Sequence, residues 1–216
     1  MSISKTVVIN SAGVGSRLGM GTTKSLIEIM GKPLIEWQLQ MLSDIQDIRV
    51  VVGFQAKYVI ETVCRLRKDV TFVFNHDYLS TKTGTSLALG SRYTQNMILS
   101  LDGDLLIHPD DLKMILQSED ECIGYCEKNT EDPVLVTIEK DESEKEWATS
   151  FSRTSGNFEW TGLVQTFPES IKKLEGHVYQ IIEGNLPYKA IKVRCQEIDT
   201  PSDYDLAIDW IKNNLI

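Results

Sequence analysis

The sequence predicts an α/β protein with a Rossmann-like, three-layer αβα fold, its central sheet mainly parallel with some antiparallel strands in the second half. Three observations carry that expectation. Apolar runs of strand length recur at residues 6–10, 49–52, 70–74, 97–101 and 122–126, segments of helical period lie between them, and the first run empties into a glycine-rich loop. Strands and helices alternating at this spacing imply right-handed βαβ crossovers, which put helices on both faces of a parallel sheet.

Taken in order, each element has a local cause. Pro33 can open a helix at its first position, where its missing N–H costs nothing, and Leu34, Trp37, Leu39, Met41 and Leu42 then form the packed face. Residues 56–67 form a second helix with Val59, Ile60 and Val63 on one stripe. Thr85 can cap a third over residues 86–93, and a fourth begins after Pro109. The second half changes character: residues 134–138, 148–151 and 161–166 read as strands, and the charged run EKDESEKE at 139–146 as a solvated loop or hairpin tip. Residues 190–198 read as one more strand. A closing helix spans 203–213, capped by Thr200 or Ser202 with Pro201 near its start. No repeat, low-complexity tract or long linker interrupts the chain, so residues 1–216 are expected to form a single domain.

Composition narrows the function. With 216 residues, 42% hydrophobic and 25% charged, the chain matches an ordinary soluble globular protein with a proper core. Lys and Arg total 22 against 31 Asp and Glu, a net charge of −9 that argues against nucleic acid as a partner. No stretch approaches the roughly 18–20 apolar residues that span a bilayer, so no membrane partner is expected. Met1 leads almost directly into the first strand, leaving no room for a signal segment, and a cytoplasmic location is expected. Cys64, Cys122, Cys126 and Cys195 are scattered and read as free thiols; Cys122 and Cys126 have no second pair or nearby histidine to make a zinc site.

The chemistry concentrates at residues 7–26, VVINSAGVGSRLGMGTTKSL. Gly13 and Gly15 have no Cβ to block close approach, so backbone N–H groups can converge on phosphate oxygens while Arg17 and Lys24 neutralise their charge. A dinucleotide fingerprint would want a small residue where Leu18 stands, and a P-loop would want a glycine directly before the lysine, where Thr23 stands. A nucleoside triphosphate suits the loop best. Asp102-Gly103-Asp104 follows the fourth apolar run, so its carboxylates should emerge at the carboxyl edge of the sheet, where open α/β sheets bind ligands. Asp104 is the first choice as a ligand for Mg²⁺, with Asp102 in reserve; a turn with two solvated acids is the plainer alternative. Asp199, again between a strand and a helix, could complete the metal site or simply favour the helix N-terminus by its charge. Together these groups suit an in-line displacement in which an acceptor phosphate attacks the α-phosphorus of the triphosphate and pyrophosphate leaves, with catalysis by positioning and charge compensation. An anionic acceptor needs no strong base, and His76, His108 and His177 are left without a role.

These motifs resemble the sugar-phosphate nucleotidyltransferase superfamily, whose members carry A-A-G-x-G-[ST]-R, then P-K, then G-K-P-L-I. Here they read Ser11-Ala12-Gly13-Val14-Gly15-Ser16-Arg17, Thr23-Lys24 and Gly31-Lys32-Pro33-Leu34-Ile35. The resemblance continues through Val52-Gly53-Phe54, the Asp104 segment, Trp160-Thr161-Gly162 and Ile198-Asp199-Thr200-Pro201-Ser202-Asp203. Asn75-His76-Asp77-Tyr78 with Thr83-Gly84-Thr85-Ser86-Leu87 resembles the small cytidylyltransferases that activate phosphocholine and similar compounds. The resemblance implies a nucleotidyltransferase fold, CTP as donor and Mg²⁺ as cofactor. It implies Arg17 and Lys24 as catalytic cations, residues Ser11, Ala12, Gly13, Val14, Gly15 and Ser16 around triphosphate and ribose, and Asn75, Gly84, Thr85 and Ser86 beside the base. It further implies Asp104 and Asp199 on the metal, and Trp160, Gly162 and Glu183 at a small phosphorylated acceptor. Within that branch the chain resembles enzymes of capsule phosphoramidate biosynthesis, which implies L-glutamine phosphate as the acceptor. Two departures stand out: Ser11 replaces the first alanine, and Thr23 replaces the proline that precedes the lysine, which leaves the placement of Lys24 open. A UTP- or dTTP-dependent sugar-1-phosphate transferase and a non-catalytic nucleotide sensor remain as alternatives.

Overall fold

The computed structural model describes residues 4–15 and 19–216. In chain order its strands and helices are β1 (Lys5–Ser11), β2 (Glu28–Ile29), β3 (Lys32–Pro33), α1 (Leu34–Met41), β4 (Asp47–Val52), α2 (Ala56–Leu66), β5 (Val70–Phe74), α3 (Thr83–Gly90), β6 (Met97–Asp102), β7 (Leu105–Ile107), α4 (Pro109–Gln117) and β8 (Cys122–Cys126). The second half adds β9 (Leu135–Lys140), β10 (Glu146–Ser152), β11 (Phe158–Thr166), α5 (Val178–Ile182), β12 (Tyr188–Lys192), β13 (Cys195–Glu197) and α6 (Pro201–Asn214).

Nine strands form one mixed sheet in the order β5-β4-β1-β6-β11-β8-β12-β10-β9. The strands of the first half, β5, β4, β1 and β6, are parallel, as their βα alternation requires. Beyond β6 the pairing changes: β11 runs antiparallel to β6 and β8, β10 runs antiparallel to β12 and β9, and parallel pairing returns only between β12 and β8. The charged run at 139–146 lies at the β9–β10 hairpin, whose tip Asp141 closes by accepting from the Ser143 and Lys145 amides.

Val7 and Ile9 of β1 point to one face of the sheet and Val8 to the other, the period-two alternation of a strand buried on both sides. The first face packs with Ile35 and Leu39 of α1, Val59 and Val63 of α2, and Leu112 and Ile115 of α4. The second packs with Leu87 of α3 and with Val178, Ile181 and Ile182 of α5. A smaller cluster seats α6 through Ala207 and Ile211 against Trp37, Ile29 and Leu106.

Three local expectations need correction. Residues 190–198 do not form one strand: β12 pairs with β8, whereas β13 pairs with β7 in a separate two-stranded sheet. The redirection is held by Asp111, whose carboxylate accepts from the Arg194 amide at 2.7 Å and its guanidinium at 2.7 and 3.0 Å. Thr85 does not cap α3, which starts two residues earlier; its hydroxyl donates to the Leu174 carbonyl at 2.8 Å. Pro33 precedes α1 rather than entering it, with extended backbone at φ −65° and ψ 150°.

Candidate active site

A cleft of about 930 Å³ opens at the carboxyl ends of β1 and β6. β1 delivers Ser11, Ala12 and Gly13 to its wall, and Gly15 follows with φ 67°, a left-handed conformation that glycine adopts without strain. A Cβ on Gly15 would meet the Thr22 carbonyl oxygen at 3.0 Å and Lys24 Cγ at 3.1 Å, so the glycine loop lies directly against the segment carrying the lysine. Ser16 and Arg17 lie outside the described residues.

Three of the residues singled out from the sequence meet here. The Lys24 ammonium donates to Asp104 Oδ2 at 2.5 Å and also to Asp199 Oδ1. Asp104, Glu197 and Asp199 each present a carboxylate oxygen, and these oxygens lie within 4.8 Å of one another. Like charges this close repel, and the ammonium offsets that repulsion. Burial alone would lower the pKa of Lys24, but the charges and hydrogen bonds of Asp104 and Asp199 outweigh it and raise it. Burial first, and then the charge of Asp104, raise Glu197 to about 8. The same two causes, opposed by an Asn10 hydrogen bond at 3.2 Å, raise Asp102 to about 7.

Backbone bonds fix the acids. Gln38 of α1, fully buried, donates to the carbonyls of Asp102 and Leu105, each at 2.8 Å, and so clamps the turn that projects Asp104. The Ile198 amide donates to the Asp104 carbonyl at 3.0 Å, joining the two acid-bearing segments. Asp199 does not cap α6. Thr200 does, its hydroxyl accepting from the Asp203 amide, and Asp203 completes the capping box by accepting from the Thr200 amide at 2.7 Å and the Asp199 amide at 3.0 Å, which leaves the Asp199 carboxylate turned to Lys24.

A different set of residues forms the rest of the cleft. Asn75 is buried, donating to Thr81 Oγ1 at 3.0 Å and Ser86 Oγ at 3.2 Å and accepting from the Asp77 amide at 3.1 Å, so it knots the 75–81 loop to the first turn of α3. Gly84 and Thr85 stand in that same turn but do not line the cleft: a Cβ on Gly84 would collide with Ile181 Cδ1, so this glycine lets α3 and α5 pack. Val14 is exposed and also lies off the lining. Trp160 lines the far wall, its indole N–H donating to the Leu163 carbonyl at 3.0 Å, where β11 shifts register against β8. Gly162, at φ 83°, lets β11 approach Asp102, whose Oδ2 a Cβ would meet at 2.8 Å. Glu183 does not line the cleft; it pairs with Lys173 at 3.5 Å.

Residues that the sequence did not single out fill that place. Lys82, just before α3, and Arg153 and His177 from the second half supply basic groups to the cleft, and Glu131, Asp132 and Glu159 supply acids. Arg153 pairs with Asp132. Glu159, buried, accepts from the Asn129 and Thr130 amides at 2.9 and 3.2 Å. Glu197 could have been found, since it stands two positions before Asp199 and strand alternation puts both on one side. Gln38, a polar residue within the apolar stripe of α1, was also visible. The far wall carries no spacing signal, because its residues come from separate loops and strands.

Residues 7–154 match the family model described as the MobA-like NTP transferase domain. Over 130 residues the chain is 31% identical to the bifunctional protein GlmU of Neisseria meningitidis serogroup C, a match covering 59% of this chain but only 28% of that relative. It is 25% identical to the choline-phosphate cytidylyltransferase of Streptococcus pneumoniae, across 95% of this chain and 98% of that protein. The fold is similar to the solved inositol-1-phosphate CTP transferase from T. maritima, with a TM-score of 0.79 and 19% identity, over 100% of this chain and 99% of the other.

Proposed function

Because this chain belongs to the MobA-like NTP transferase family, we propose that it is a Mg²⁺-dependent cytidylyltransferase that moves CMP from CTP to a small phosphorylated metabolite and releases pyrophosphate. One observation carries the reading: Lys24, Asp104 and Asp199, distant along the chain, meet beside the Gly13–Gly15 loop.

The carboxylates of Asp104, Glu197 and Asp199 are hard oxygen donors of the kind Mg²⁺ accepts alongside substrate phosphates and water. Asp104 and Asp199 would hold the ion, which supplies charge neutralisation between the two anionic phosphates. The residues of the chain do the rest. Backbone N–H groups of the Gly13–Gly15 loop cradle the triphosphate, and Lys24, with Arg17 from the same loop, balances the charge that collects on the leaving pyrophosphate. The knot of Asn75 and Ser86 borders the base, and Trp160 and Gly162 border the acceptor. The acceptor phosphate attacks as an anion, so no proton need move in the displacement.

Donor and acceptor follow from the two ends of the cleft. The Asn75 to Ser86 segment, which resembles small cytidylyltransferases, favours CTP. The far wall sets Arg153 among Glu131, Asp132 and Glu159, which suits an acceptor carrying charges of both signs, such as L-glutamine phosphate. Pyrophosphate release should be assayed with each nucleoside triphosphate against L-glutamine phosphate, phosphocholine and hexose 1-phosphates. Release with CTP and L-glutamine phosphate is the expected outcome. Release confined to UTP or dTTP with a hexose 1-phosphate would refute the assignment, and triphosphate binding without any release would make the protein a sensor.

A further inference from the structure

The segment that leads into Lys24 is fastened to the end of β1 by the Thr23 hydroxyl, which donates to the Ser11 carbonyl at 3.5 Å, and more extensively by the Gln55 side chain. Gln55 Oε1 accepts from the Thr22 hydroxyl at 2.9 Å and the Thr23 amide at 3.1 Å, and Gln55 Nε2 donates to the Gly21 carbonyl at 3.1 Å. Gln55 itself is anchored. It stands at the N-cap of α2 with φ 53°, and its neighbour Phe54 donates its amide to the Ala12 carbonyl at 3.0 Å. The side-chain amide therefore ties the limb carrying Lys24 to the end of β1 and to α2 at once. The limb in turn presses on Gly15.

Thr23 holds φ −65° and ψ 143°, and that φ is the value a proline ring imposes. A threonine reaches other φ values freely and carries an N–H that a proline lacks. Here the conformation persists with that N–H bonded to Gln55, and the Thr23 carbonyl bonded to the Leu26 amide at 3.0 Å. We propose that Gln55 is a positioning residue for Lys24, its amide fixing residues 21–23 in the conformation that a proline at position 23 would fix by its ring. The assignment rests on the transferase reading for the task of Lys24, while the clasp itself rests on the hydrogen bonds alone.

A thermodynamic cycle between positions 23 and 55 tests it. Gln55→Asn tolerates the left-handed backbone but is one methylene too short to reach, and Gln55→Gly serves as a second variant with no side chain. Each should lower kcat for pyrophosphate release about tenfold to a hundredfold through misplacement of the lysine, with KM for the acceptor unchanged. Thr23→Pro alone should be nearly neutral, and combined with Gln55→Asn it should restore most of the lost kcat. Amide hydrogen exchange over residues 19–27 should accelerate in Gln55→Asn and slow again in the double variant. Unchanged exchange in the Gln55 variants, or losses that simply add in the double variant, would overturn the proposal. If the wild-type chain transfers nothing with any triphosphate, the transferase reading fails and the exchange comparison alone decides the clasp, faster exchange supporting it and unchanged exchange refuting it.

Discussion

At the acidic end of the cleft, Asp104, Glu197 and Asp199 stand at or just past the ends of β6 and β13, clamped by Gln38, by the bond from Ile198 to Asp104 and by the cap of α6. At the opposite end, Arg153, Glu159, Trp160 and His177 come from the second half, where β11 shifts register and antiparallel pairings dominate. The first end gathers charge around one ammonium; the second spreads groups of both signs along a wall. The difference teaches a division of labour. On the proposed transferase reading, strand ends fixed by sheet register and backbone clamps hold the groups that must not move, whereas the groups that would choose an acceptor sit on β11 and on the turns around it.

The largest test of that division is at the acidic end. Asp104→Asn and Lys24→Met should each lower kcat for pyrophosphate release by about 10² to 10³, the scale of removing one charge that stabilises a transition state. Equal losses from substitutions in the far wall would abolish the distinction. Gly84→Ala comes next and should act on stability instead of nucleotide affinity, because its methyl would meet Ile181 and the Gly176 carbonyl. Overpacking of this kind costs about 1–3 kcal/mol, readable by urea denaturation. A raised KM for CTP with unchanged stability would return Gly84 to the base site. Arg153→Met should raise KM for the acceptor about tenfold, the value of a charge-assisted hydrogen bond, and leave KM for CTP alone. The smallest effect belongs to Glu183→Ala, whose exposed pairing with Lys173 is worth little and which should change acceptor KM by less than about twofold. A tenfold rise there would bring Glu183 back to the acceptor.

The same two ends differ in how well the amino-acid sequence announces them. β1, β4, β6 and β8 were legible because a strand buried on both faces reads as an unbroken apolar run, whereas β5, at the sheet edge with no fully buried residue, was legible from its β-branched and aromatic residues. Asp104 and Asp199 were legible because an acid just beyond such a run has one place to go, the carboxyl edge of the sheet. Their common contact with Lys24 was not, since no periodicity links residues so far apart. The split of residues 190–198 depends on the clamp between Asp111 and Arg194, a tertiary contact that overrides strand propensity. Gly84 fitted the base-binding pattern, but it is the approach of Ile181 that requires a glycine there. Trp160 and Gly162 reach the cleft wall, whereas Glu183, taken from the same resemblance, falls on a surface turn with Lys173.

The central claim is that Lys24, Asp104 and Asp199 surround one metal-bound triphosphate held by the Gly13–Gly15 loop. Crystals grown with CTP and Mn²⁺, measured for anomalous scattering from the metal, address it directly. The account requires a manganese peak in contact with carboxylate oxygens of Asp104 and Asp199, and phosphate density against the amides of the loop. A peak elsewhere, or CTP bound away from Gly13, would contradict it.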